Sequence, residues 1–325
     1  MILIISESTD ISTINVIDWL SNSVDKKKII RINSDDKVKI RMYNLNGFEL
    51  NIFDGINIYY GDISGFWYRR GGLNMDIKID EILTKSDSLF LNFQEHINNE
   101  MTSLIISIYN DLTKNLGVSI GNFLTGSVNK ILTLKRAMKN RISVPDTLIT
   151  TDKQELLSFF NKHNQNIITK SISQNIHVEE GNTIIAAYTE EITNIDSVPD
   201  SFEISLFQQK IDKKYELRIF YLKGDFYAMA IFSQLDNQTK VDFRKYNDQK
   251  PNRTVPFNLP NHIKNKLKNL MDECKLDTGS IDMIVDQNNN YYFLEVNPVG
   301  QFGMVSYPCN YNLEKKIANL LSMSK

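Results

Sequence analysis

Apolar and polar positions follow three different rhythms along the chain of 325 residues. Short apolar runs at residues 2–5 and 28–32 predict two buried strands. Residues 51–60 then alternate toward the string Gly65-Phe66-Trp67-Tyr68-Arg69-Arg70-Gly71-Gly72. Next, Leu89, Phe93, Ile97, Met101, Ile105, Ile108, Leu112 and Leu116 recur at spacings of three and four, which predicts a long amphipathic helix. Gly117 is a natural stop for it. Residues 1–124 therefore read as one α/β unit.

A second unit is expected over residues 125–200. Gly126-Ser127 precedes a helix over 129–141 that Pro145 keeps from continuing. Asp152-Lys153-Gln154-Glu155 reads as a capping box that opens another helix. Strand-like stretches follow at 166–170 and 183–189. Residues 201–325 form a third unit, with strands at 206–211, 216–222 and 226–232. Lys223-Gly224-Asp225 joins the last two as a hairpin turn. An amphipathic helix over 259–275, a second hairpin and a closing helix over 313–321 complete it. No internal repeat and no low-complexity linker interrupts this α/β order.

Composition narrows the classes. Apolar residues make up 42% and charged residues 23%, enough for a large core and against disorder. A net charge of -2 gives no whole-chain attraction to nucleic acid or to an anionic membrane, so neither is expected as a partner. Cys274 and Cys309 can make neither a disulfide framework nor a thiolate zinc site, and a reducing cytoplasm is the simple expectation. No stretch approaches the ~20 apolar residues that span a bilayer. The four histidines are scattered. There is neither a Walker A string nor a G-x-G-x-x-G.

The second hairpin carries the strongest chemistry. Residues 279–286 and 291–297 read as strands around the turn Gln287-Asn288-Asn289-Asn290. Symmetric closure with Asp286 opposite Tyr291 sets Asp282 opposite Glu295, and Asn297 shares the face of Glu295. Opposed carboxylates lie roughly 5 Å apart and repel, so a sheet rarely keeps them without a cation. Two carboxylates and an amide oxygen are a hard, all-oxygen set suited to Mg²⁺ or Mn²⁺. Geometry alone leaves a second reading open, in which Asp282 points to solvent and Glu295 pairs with a lysine.

Gly279-Ser280-Ile281-Asp282 followed by Phe293-Leu294-Glu295-Val296-Asn297-Pro298 resembles the metal-binding end of ATP-grasp ligases. The resemblance implies an ATP-grasp fold, with an N-terminal α/β pre-ATP-grasp domain, a small central α/β domain and a C-terminal mixed-sheet domain. ATP would lie between the last two, with Mg²⁺, as two ions that Mn²⁺ can replace, on Asp282, Glu295 and Asn297. Asn129-Lys130 and Ile167-Ile168-Thr169-Lys170 resemble the segments supplying the two ATP-binding lysines, Lys130 and Lys170. Phe207-Gln208-Gln209-Lys210-Ile211 resembles the hinge that receives adenine on the backbone of Lys210 and Ile211, with Gln209 nearby. Glu216-Leu217-Arg218 resembles an acid-x-Arg motif, with Glu216 on ribose hydroxyls and Arg218 at the catalytic centre. Asp242-Phe243-Arg244 resembles the motif whose arginine, here Arg244, lies over the transferring phosphate. One departure stands out. Ser171-Ile172-Ser173-Gln174-Asn175 replaces the glycine-rich flap of many relatives.

The string from Phe66 to Gly72, the pairing of Gln208-Gln209 with Glu216-Leu217-Arg218, and Asp242-Phe243-Arg244 are similar to graspetide synthetases of the microviridin, grasp-with-spasm type. This implies an ATP-dependent macrocyclase acting on a ribosomally made precursor peptide, leader plus core. It would phosphorylate Glu or Asp side chains and join them to Ser or Thr hydroxyls (ω-ester) or Lys amines (ω-amide). Trp67, Arg69 and Arg70 become candidate contacts to the peptide, and a homodimer is expected. Such chemistry needs no enzyme nucleophile, and the chain has no obvious Ser-His or Cys-His pair. Two alternatives remain: an amino-acid or carboxylate-amine ligase acting on a small molecule or protein tail, and a non-catalytic module of the same fold.

Overall fold

The computed structural model describes residues 1–53, 55–75, 88–114, 116–173, 177–180, 183–186, 189–233 and 252–323. The two expected N-terminal strands form, as Ile2–Ser6 and Ile29–Asn33. They join Gly65–Tyr68 and Val118–Ile120 in a four-stranded sheet whose ladders are all parallel. A parallel sheet is covered on both faces, which is why its strands read as continuous apolar runs. Leu3, Ile5 and Phe66 face the long helix Ser88–Lys114 and a second sheet. Ile2, Ile4 and Trp67 face the helices Ile11–Leu20 and Leu313–Ser322.

The second sheet corrects one expectation. Residues 51–60 are not one alternating strand but two halves of a hairpin, Gly47–Ile52 and Ile56–Tyr59, with Leu50 opposite Ile58. The long helix forms, yet its apolar stripe is buried only toward its end. Ile108, Tyr109 and Leu112 are fully buried, whereas Leu91 is 56% and Phe93 44% exposed.

The central sheet has the order Glu190–Ile192, Ile167–Lys170, Ser201–Gln209, Thr147–Asp152. The helix Lys153–Lys162 covers it with Leu156, Phe159 and Phe160. Of the expected capping box the N-cap half forms: the Asp152 side chain accepts from the N–H groups of Gln154 and Glu155, while the Asp152 N–H donates to Thr150 Oγ1 rather than to Glu155. Ser201–Gln209, which the sequence reading put at the start of the third unit, pairs into this central sheet. The helix Lys130–Lys139 leans the other way and packs Leu134 and Ala137 into the C-terminal core.

The C-terminal sheet has the order Arg253–Phe257, Asp225–Phe232, Lys213–Leu222, Thr278–Asp286, Tyr291–Asn297. Its four ladders are antiparallel. A parallel bridge between Ser143 and Tyr292 makes it mixed. Ile219, Ala230 and Ile281 bury one face under the helix Asn261–Glu273. Phe220, Met229 and Ile231 bury the other against Phe302, Val305 and Ile317, a core shared with the N-terminal parallel sheet. No helix among the described residues is long and apolar enough to cross a membrane.

Candidate active site

A cavity of about 730 Å³ opens between the central and C-terminal sheets. Its central-sheet wall carries Lys170, Gln209, Lys210 and Ile211. The opposite wall carries Lys130, Glu216, Asp282 and Glu295. Eight residues singled out by sequence thus meet in one space, although they span more than 160 positions of chain.

The hairpin explains how the carboxylates meet. Near the turn the expected register is off by one, since Val285 rather than Asp286 opposes Tyr291. Asp286 instead ties the turn, its side chain accepting from the N–H groups of Asn288 and Asn290. An irregularity between Asp282 and Met283 leaves Leu294 without a partner and shifts the ladder back. Asp282 therefore does oppose Glu295, and Ser280 opposes Asn297.

Each carboxylate has a cation. Arg218 sits opposite Asp282 on the neighbouring strand and pairs with it at 2.5 Å, the two side chains being 12% and 14% exposed. Lys130 Nζ lies 3.3 Å from Glu295 Oε2. It also donates to the carbonyls of Ser171 at 2.8 Å and Ser173 at 3.4 Å, just past the strand that bears Lys170. Two bare carboxylates roughly 5 Å apart would repel by about 3 kcal/mol at an effective dielectric of 20. The neighbouring cations offset this and leave room for a metal to share the charge. Asn297 is exposed, and its Oδ1 accepts from the Val299 N–H at 3.1 Å with a second lone pair to spare. Among the described residues no group of three or more His, Cys, Asp or Glu gathers anywhere. Two carboxylates with one amide oxygen fit Mg²⁺ that completes its shell with phosphates and water.

Glu216 is buried at the cavity wall. It pairs with the buried Lys213 and accepts from Ser233 Oγ at 3.0 Å. Burial raises its pKa, with Lys213 and Ser233 pulling the other way. At the hinge, the Gln209 N–H donates to Asp146 O at 2.9 Å and the Lys210 N–H to Asn166 O at 3.0 Å. Lys210 Nζ pairs with Glu191 of the central sheet at 2.5 Å.

One cavity residue was missed by sequence reading. Gln208 is fully buried and lines the cavity beside the hinge. Its Nε2 donates to Thr147 Oγ1 at 2.8 Å, which fixes the amide. Its Oε1 is buried and has no hydrogen-bond partner among the described residues. Strand parity was the available signal. Gln208 and Gln209 point to opposite faces of the strand, so they meet different surroundings.

The expected peptide contacts do not gather here. Trp67 is 2% exposed in the core under the N-terminal sheet, so its ring offers a partner almost nothing. Arg69 is 4% exposed and pairs with Asp10 at 3.2 Å, which makes it an internal strut rather than a peptide contact. Arg70 is a quarter exposed and pairs with Asp10 and Glu7. Arg244, with Asp242 and Phe243, lies outside the described residues, as does the later part of the unusual flap.

Residues 127–321 match the family model of the RimK-like ATP-grasp domain. No curated protein matches by sequence. Among solved structures, a RiPP-associated ATP-grasp ligase of Chryseobacterium gregarium, in complex with ADP and a leader and core peptide, is 27% identical with a TM-score of 0.77. That likeness covers 99% of this chain and 95% of the other. The macrocyclase MdnC of Microcystis aeruginosa MRC, bound with the precursor peptide MdnA, is 26% identical with a TM-score of 0.73 and full coverage of both chains, 100% and 100%. The ATP-grasp ligase PsnB, complexed with a phosphomimetic variant of a minimal precursor, Mg and ADP, shares the fold at 12% identity, with a TM-score of 0.69 over 99% of this chain and 98% of that one. With its lysines, hinge and carboxylate hairpin around one cavity, the chain belongs to the RimK-like ATP-grasp family.

Proposed function

We propose that this protein is an ATP-dependent peptide macrocyclase that matures a graspetide. It activates Glu or Asp side chains of a ribosomally made precursor and joins them to Ser or Thr hydroxyls or to Lys amines. The observation that carries this reading is the cavity, where two lysines, a hinge, a buried acid and a carboxylate pair converge. Likeness over nearly the whole length to a ligase with leader and core peptide, and to a macrocyclase with its precursor, supports the choice of substrate class.

When bound, ATP with Mg²⁺ supplies a phosphoryl group to a carboxylate, and a hydroxyl or amine then displaces phosphate as the ring closes. The chain's own residues prepare that event. Lys130 and Lys170 bring positive charge to the phosphates, without which a triphosphate cannot leave water. Asp282, Glu295 and Asn297 hold the metal, and Arg218 holds Asp282. With the Lys210 N–H given to Asn166, the Lys210 carbonyl and the Ile211 N–H are the hinge groups that serve adenine. Gln208 Oε1 accepts from the adenine amino group, with Gln209 beside it, and Glu216 accepts from ribose hydroxyls. Arg244, by its resemblance to the family motif, would stabilise charge on the transferring phosphate. The division into pre-ATP-grasp, central and C-terminal units, two Mg²⁺ ions with Mn²⁺ as a substitute, and a homodimer belong to the same reading.

The test is ADP release. Incubated with ATP, Mg²⁺ and a precursor peptide from its own genomic neighbourhood, the protein should release ADP only when peptide is present. Release driven equally by free amino acids, with no response to peptide, would instead make it a small-molecule ligase.

A further inference from the structure

The strand Gly65–Tyr68 is followed by two arginines that are not among the cavity's lining residues and that bond the segment after the carboxylate hairpin. Arg69 Nη1 donates to the Val299 carbonyl at 2.5 Å, and its Nη2 donates to Gln301 Oε1 at 3.2 Å. Arg70 Nη2 donates to the same Val299 carbonyl at 3.0 Å. The Arg69 guanidinium also lies 5.6 Å over the Phe302 ring. Burial pulls the Arg69 pKa down to about 10, with Asp10 opposing, so it is charged at neutral pH. Both guanidinium groups rest on Asp10, at 3.2 and 3.1 Å. Asp10 is itself fixed as the N-cap of the first helix, where it accepts from the Thr13 N–H at 2.9 Å. Ser12, on the same helix, donates to Gln301 Oε1 at 2.8 Å.

The other side of the clamped segment holds Asn297. The Val299 N–H donates to Asn297 Oδ1 at 3.1 Å. The Gly300 N–H, in the same peptide unit as the clamped carbonyl, donates to the Asn297 carbonyl at 3.1 Å. A carbonyl that accepts from two cations polarises its own N–H and strengthens that bond. The fit is close, since a Cβ at Gly300 would sit 2.6 Å from Ser280 Cβ, and Ser280 is the residue opposite Asn297. Two arginines thus hold one peptide unit by its oxygen, and that unit with its neighbour holds Asn297 by side chain and backbone.

We propose that Arg69 and Arg70 are positioning residues of the metal site, which act through Val299 to aim Asn297 Oδ1. The proposal rests on the reading of Asn297 as a Mg²⁺ ligand. It gives these arginines, expected from sequence to touch the peptide, a role through Val299 instead. It also makes the N-terminal unit part of the active site without contributing a group to the cavity. Groups that orient metal ligands typically change metal affinity by roughly 10–100-fold when removed.

The experiment measures ADP affinity by calorimetry across a Mg²⁺ titration, with melting temperature beside it. The variants are Arg70→Gln, Arg69→Met, Asn297→Ala and the double variant Arg70→Gln/Asn297→Ala. Arg70 is partly exposed, so its variant keeps the test open should the buried Arg69 variant fail to fold. Arg70→Gln should raise the Mg²⁺ concentration needed for tight ADP binding about tenfold. It should leave metal-free ADP binding at the hinge unchanged. In the Asn297→Ala background it should add no further shift, because its effect passes through that residue. If Asn297→Ala shifts the Mg²⁺ requirement while Arg70→Gln only lowers the melting temperature, the clamp is purely structural and the inference is overturned. If Asn297→Ala shifts nothing, the metal assignment itself fails, and the inference with it.

Discussion

Replacing Gln208 by methionine tests the adenine pocket with little disturbance to the fold. Methionine keeps the volume and removes both polar atoms. Thr147 loses the donor from Nε2 but still donates to the Pro145 carbonyl at 2.9 Å, so stability should fall by only about 1 kcal/mol. For an adenine nucleotide the loss is one hydrogen bond from the amino group to Oε1, again about 1 kcal/mol, or roughly fivefold in affinity. A guanine nucleotide presents a carbonyl oxygen at that place, and two facing acceptors cost about 1–3 kcal/mol. The substitution removes that penalty. The ratio of ADP to GDP affinity should therefore fall by about 2 kcal/mol or more, at least roughly 30-fold. Calorimetry with both nucleotides at fixed Mg²⁺, on wild type and Gln208→Met, measures it directly. An unchanged ratio in a well-folded variant would show that the Gln208 acceptor never meets the base.

Other consequences follow from the same geometry. Glu295→Ala should abolish turnover at nearly unchanged melting temperature, because Lys130 keeps its two carbonyl partners, whereas Asp282→Ala strands the largely buried Arg218 and should also cost about 3 kcal/mol in denaturant unfolding. Near wild-type turnover in Glu295→Ala would refute the metal assignment. The raised pKa of Glu216 means that the fold favours its protonated form. That contribution to stability is full below the ordinary value of 4.5 and is lost as pH rises through the raised value. Glu216→Gln should flatten this part of a melting-temperature profile against pH, and an unaltered slope would remove Glu216 as its source. Arg244→Ala should lower the rate of ADP release far more than ADP affinity, as expected for a group that acts in the transition state. A pure loss of affinity would make it a binding residue.

How much was legible in the sequence differs from place to place for physical reasons. The two buried N-terminal strands and the helix cap at Asp152 were readable because they depend on local pattern alone. The pairing of Asp282 with Glu295 was anticipated correctly from a turn register that is wrong by one, and the irregularity at Leu294 absorbs the difference. Bulges leave no mark in an alternating pattern, so this agreement owed something to compensation. The hairpin within 47–59 was missed although the sequence pair Asp54-Gly55, a common turn signal, interrupts the alternation between its strands. Strand Ser201–Gln209 was assigned to the wrong sheet, since strand pairing is a tertiary choice that propensity does not encode. Trp67 shows the same limit, because an aromatic in a strand reads alike whether it is core or contact. The grip of Arg69 and Arg70 on Val299 joins residues about 230 positions apart, and no spacing rule reaches that far.

The central claim is ring closure on a peptide, and mass spectrometry of the neighbouring precursor tests it most directly. After incubation with the protein, ATP and Mg²⁺, each ester or amide ring removes one water, about 18 Da, because a hydroxyl or amine displaces the phosphate that carried the carboxylate oxygen away. The account predicts this loss in whole multiples, dependent on ATP and absent with Glu295→Ala. An intact precursor mass, in a sample where the protein binds ATP and Mg²⁺ and turns ATP over with free amino acids, would contradict it.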